Sequence, residues 1–145
     1  MELAYAFLAD AAQFTSDGKL NMLGGDFNSI VAEGFPHIHP VIAIVMRFRI
    51  NRDEAAVPHP VRLELCNLDR PEDPPMADIE GSFPATTILP TAEDPLFFAN
   101  VSNVLGTVFT SAGNYALRII ADGRQVKEFP FTVALRSIPQ GRGEG

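Results

Sequence analysis

A chain of 145 residues, 46% hydrophobic and 20% charged, is long enough for one hydrophobic core, too short for two, and too apolar for a disordered segment. Its net charge of −7 lacks the basic footprint that phosphate backbones require and gives an anionic membrane nothing to attract, so neither nucleic acid nor membrane is expected as a partner. The lone cysteine, Cys66, rules out an intrachain disulfide and matches a reducing, cytoplasmic location.

The opening "MELAYAFLADAAQF" is apolar but carries Glu2 and Asp10 and no positive n-region, so it reads as a strand and not a secretory leader. Leu3, Tyr5 and Phe7 share one face. "SDGK" at 16–19 supplies a hairpin turn, because Asp-Gly tolerates positive φ. "LNMLGG" returns with Leu20 and Met22 on one face, and Gly24-Gly25 permit a bulge or bend. "FNSIVAEGFP" carries the chain to a break at Pro36.

"VIAIVMRFRI", 41–50, is the strongest strand: Ile42, Ile44, Met46, Phe48 and Ile50 line one face. On the other face Val41, Ala43 and Val45 precede Arg47 and Arg49, so one end is covered on both sides, either inside the domain or by a second copy. That alternative motivates a possible homodimer. "NRDEAAVPHP" is a polar loop. "VRLELCNL", 61–68, alternates, with Val61, Leu63 and Leu65 facing in. "DRPEDPP", 69–75, is a rigid exposed loop, and "MADIEGSF" a short edge strand with Asp78 and Glu80 toward solvent. "PATTILPTAEDP" reads as loop, and "LFFANVSNVLGTVF", 96–109, as strand or short helix.

"YALRIIADGRQVKEFPFTVAL" reads as a hairpin about Asp122-Gly123, with Phe129, Phe131, Val133 and Leu135 inward. Val126 falls on the wrong parity, which predicts a bulge near Lys127–Glu128, and Pro130 predicts an edge or a non-bonded ladder position. The whole implies an all-β, Ig-like antiparallel β-sandwich of seven to nine strands in a single domain, 1–136, with a flexible Gly-rich tail at 137–145.

In "FTSAGNYALRII", Ser111, Gly113, Tyr115 and Leu117 stand at the offsets of the immunoglobulin tyrosine corner, with Leu117 in place of the usual cysteine. The rival reading is a tyrosine lining a pocket. Two stretches, "LADAAQFTSDGKLNMLGGDFNSI" with "FP" at 35–36, and "FTSAGNYALRIIADGRQVKEFPFTV", resemble the opening and close of a family of small bacterial proteins of unknown function. That resemblance implies a cytoplasmic β-sandwich and no activity, and it carries over no functional residue.

"FPHIHP", Phe35–Pro40, places His37 and His39 on one side of an extended segment, as paired imidazole ligands are. It resembles the His-x-His of cupin barrels but lacks the preceding glycine and the following glutamate. His59 is the only other histidine. The alternative is two loop histidines between prolines. Cys66 has no base in view and reads as a packed or surface thiol. No serine sits in a Gly-x-Ser-x-Gly elbow, and "LGGDF" lacks the lysine of a phosphate loop. The acidic "RPEDPP" and "AEDP" lack EF-hand spacing, and "NVS" at 100–102 is a glycosylation acceptor without meaning in the cytoplasm. The reading is therefore a non-enzymatic structural or protein-interaction module with no catalytic, cofactor or metal residue and an unknown protein partner. The alternative is a small-ligand or metal-binding sandwich that uses Phe35–Pro40.

Overall fold

The computed structural model describes residues 1–85, 93 and 95–137. It is all-β. Among these residues there are ten strands: β1 Glu2–Ala9, β2 Ala11–Phe14, β3 Leu20–Leu23, β4 Ser29–Ala32, β5 His37–Ile50, β6 His59–Asn67, β7 Ala77–Phe83, β8 Leu96–Phe109, β9 Gly113–Ala121 and β10 Arg124–Leu135. The one helical segment is a single turn, α1, at Arg52–Ala55. The strands form a three-stranded sheet, β1-β5-β8, a five-stranded sheet, β4-β10-β9-β6-β7, and a β2-β3 hairpin.

Two expectations change here. Ten strands exceed the seven to nine anticipated, because "AAQF" and "SIVA" are separate short strands of four residues each. The pairing is also not wholly antiparallel: β4 lies parallel to the end of β10, Ile30 opposite Val133. A short strand reached by a long connection is free to run either way. The 96–109 segment is strand throughout, paired with β5 from His37↔Phe109 to Ile50↔Leu96.

Alternation explains the core. Ile42, Ile44, Met46 and Phe48 of β5 pack into one buried cluster with Leu63 and Leu65 of β6, Leu117 and Ile119 of β9, and Phe131 and Val133 of β10, and Ile50 is buried at the end of the same face. Leu135 is the exception: the inward face of β10 ends at Val133, and Leu135 is 55% exposed where the strand leaves the core. Asp122 and Gly123 take φ of 51° and 78°, the hairpin turn expected of Asp-Gly. The β9–β10 register slips between Gln125 and Lys127, one residue before the predicted bulge. Pro130 lies opposite Ala116, on the stretch of β10 before β4 pairs with it, where a missing N–H breaks no ladder bond on the free side.

The second apolar face of β5 is covered within one chain over most of its length. Ala43 and Val45 are fully buried, Val41 is half-buried, and β2 packs on β5 and β8. Ala43 and Val45 need no second copy to cover them, which leaves Val41 alone of the three for a homodimer to use. "DRPEDPP" is exposed, and Asp78 and Glu80 of β7 face solvent at the sheet edge, as predicted. The tail at 137–145 lies outside the described residues apart from Ser137, as does most of 84–95.

Candidate functional sites

The tyrosine corner is formed. Tyr115 is 2% exposed, and its hydroxyl donates to the Ser111 carbonyl at 2.7 Å. Its ring meets Phe109 edge-on at 4.9 Å and stacks near Phe131 at 5.9 Å. Leu117, fully buried, fills the core position that a cysteine would occupy. The bend before β9 is pinned from the other side. The Asn114 backbone N–H and side-chain amide donate to the Asp69 carboxylate at 2.9 and 3.1 Å. Those two donors hold the Asp69 pKa below the usual range. Gly113 leaves room for that carboxylate, since a Cβ there would collide with it.

His37 and His39 do share one side, but on β5 and not in a loop. The His37 Nε2 lies 3.3 Å from the His39 Nδ1, so one nitrogen carries a proton and donates it to the other. Burial pushes the His39 pKa down, helped by the charge of His37, while Asp10 opposes the shift. Asp10, Gly24, Ser29, His37 and His39 line an open cavity of about 550 Å³ between β5 and the β3–β4 connection. Directly across from His39 on β8 is Thr107; its buried Oγ1 has no hydrogen-bond partner among the described residues. No three His, Cys, Asp or Glu side chains among the described residues converge as a ready metal cluster.

His59 does not line that cavity. It is buried, with Nδ1 2.9 Å from both Asp122 carboxylate oxygens and Nε2 2.6 Å from the Glu54 carbonyl. Two acceptors call for two donors, which is the protonated ring. Burial opposes that charge, but the Glu54 carbonyl and the Asp122 carboxylate outweigh it, and the His59 pKa is raised. Glu54 itself takes the Met1 ammonium and the Asn51 N–H, which hold its pKa low. One end of the fold is thus tied together: N-terminus, α1, β6 and the β9–β10 hairpin.

Cys66 sits on β6 with its Sγ 3.8 Å from Arg118 Nη1. Burial pushes the thiol pKa up, more than Arg118 lowers it. The acidic face of β6–β7 is organised around Arg62, whose guanidinium meets Asp78 at 2.6 Å, Glu64 at 3.2 Å and Glu80 at 3.9 Å.

Sequence reading gave no sign of the seam where the two larger sheets meet. β7 and β8 are edges of different sheets and share no ladder. They touch through Phe83 and Phe98, ring centroids 5.4 Å apart, with Phe48 edge-on behind at 5.5 Å. From that contact a cleft of about 420 Å³ opens, walled by Met46, Val61, Leu63, Ile79 and Phe83. Asn100 and Ser102 face it from β8, joined by a 2.8 Å hydrogen bond. Among the described residues no strand pairs with the outer edge of β8, a strand of fourteen residues without a single charge or proline. That absence was legible in "LFFANVSNVLGTVF", though its meaning required knowing that the strand is an edge.

The model of a family of unknown function, DUF6941, matches residues 4–134. The chain belongs to that family. The match takes in both blocks that prompted the resemblance and the middle of the chain between them. Comparison with curated proteins and with solved structures gives no match. The family brings no activity with it, so chemistry must be argued from this chain's own sites. No helix among the described residues is long and apolar enough to cross a membrane.

Proposed function

We propose that this protein is a non-enzymatic interaction module that takes an extended partner segment into the β7/β8 seam. The observation that carries the reading is the conjunction of an uncharged, fourteen-residue edge that no strand among the described residues pairs with and an apolar cleft beside it. Exposed edges are ordinarily protected by charge, proline or a cover. The other edge strands of the two large sheets either contain an acid, as β1 and β7 do, or are only four residues long, as β4 is.

In this reading the partner's main chain bonds to the β8 edge and its alternate side chains enter the cleft against Leu63 and Ile79. Its intervening side chains are Lys or Arg. The outer face of β6–β7 sets Glu64, Asp78 and Glu80 against one guanidinium, Arg62, in a chain of net charge −7. Charge complementarity of this kind speeds encounter and selects partners. A cytoplasmic setting and an Ig-like packing of the sheets belong to the same proposal, supported by the single cysteine and the tyrosine corner. The raised pKa of the Cys66 thiol supports a module without a nucleophile.

The test uses a labelled peptide with valine at alternate positions and lysine between. Gly81→Trp places an indole in the cleft that Gly81 lines, starting from a Cβ that meets open space. Saturable binding by anisotropy is expected to weaken about tenfold or more, about 1.4 kcal/mol, in that variant. Methylating alternate amides of the peptide should weaken it as much. Binding that ignores both changes, or none at peptide concentrations near about 1 mM, overturns the proposal.

A further inference from the structure

We infer that His37 and His39 form a two-imidazole site for a divalent transition-metal ion such as Zn²⁺ or Ni²⁺. The argument is independent of the β7/β8 seam. The two residues are two apart on β5, so the strand's own period puts both rings on one side. The nearest ring nitrogens, Nε2 of His37 and Nδ1 of His39, are 3.3 Å apart. A tetrahedral ion with bonds of about 2.0–2.1 Å separates adjacent ligand nitrogens by about 3.3–3.4 Å. The strand therefore already holds the pair at the edge length of such a coordination shell.

A hydrogen bond between the rings accounts for the same distance in the metal-free protein. The metal takes the place of the shared proton: the donating nitrogen gives up its proton as the other nitrogen of the same ring takes one from solvent, so both rings stay neutral and both lone pairs turn outward. There is room for this, because both rings line the open cavity of about 550 Å³. Asp10 lines the same cavity and offers an oxygen donor there, directly or through water. Since no third ligand is already converged among the described residues, water completes the shell and the ion exchanges readily. The orphaned Thr107 Oγ1, on the residue facing His39 across the ladder, is a further polar group in that neighbourhood that the chain itself leaves unsatisfied. Imidazole donors with open positions suit zinc, nickel and copper and not calcium or magnesium.

The experiment uses untagged protein and titrates ZnCl₂ or NiCl₂ by calorimetry. Histidine ring nitrogens are followed by ¹⁵N-edited NMR in parallel. One ion per chain is expected, with shifts at the His37 and His39 rings and none at His59, whose two nitrogens are already engaged. His37→Ala and His39→Ala should each lose at least about tenfold in affinity, and Asp10→Asn a smaller factor. Unchanged thermal midpoints in the absence of metal show that the variants still fold. Uptake that persists in the double histidine variant, or no one-to-one uptake up to about 1 mM ion, overturns the site.

Discussion

The Tyr115 hydroxyl donates to the Ser111 carbonyl, four residues back, at 2.7 Å. That bond makes Gly113–Tyr115 a structural corner and removes the tyrosine from the pocket reading, since its only polar atom is spent on backbone. Tyr115→Phe keeps the ring contacts with Phe109 and Phe131 and deletes only the bond. The expected loss is about 1 kcal/mol, a few degrees in Tm. Calorimetry showing no loss would mean that the ring alone holds the corner.

His59 makes stability depend on pH in a defined direction. Its pKa is raised in the fold, so its contribution is complete below the unfolded value of about 6.5 and is lost as pH rises through the folded value. His39 is lowered and works oppositely: its contribution is lost as pH falls below about 6.5. The difference in urea midpoint between wild type and His59→Gln isolates the first effect. That difference should be largest near about pH 5.5 and shrink toward about pH 9; a difference that grows with pH contradicts the charged, doubly donating ring.

Val45 discriminates packing from assembly. It is fully buried within one chain, so Val45→Asp places an unpaired carboxylate in apolar surroundings and should cost several kcal/mol, about 3–5. The expected outcome is unfolded or aggregated protein by circular dichroism. A folded monomer obtained by splitting a wild-type dimer would restore the second-copy reading.

The Cys66 thiol, raised by burial, should react with a disulfide reagent at pH 7.5 at least about tenfold more slowly than an unfolded-chain thiol. Urea should abolish the difference. Equal rates in native and unfolded protein would show that the thiol is open and its environment ordinary.

What could be read from the sequence was what is local. Period-two runs such as Ile42 to Ile50 locate strands because alternate side chains must face opposite sides. Asp122-Gly123 locates a hairpin because few residues accept positive φ, and His37 and His39 had to share a side once their segment was extended. Val41, Ala43 and Val45 were legible as apolar, but nothing in their spacing says whether hairpin or neighbour covers them. The parallel pairing of Ile30 with Val133 joins residues about a hundred apart, and no local pattern encodes its direction. The cavity that Asp10 shares with the histidine pair, the Asp122 partner of His59, and the cleft between Phe83 and Asn100 depend on how two sheets curl and where they fail to join. Such contacts are set by packing between distant segments, which only the tertiary structure decides.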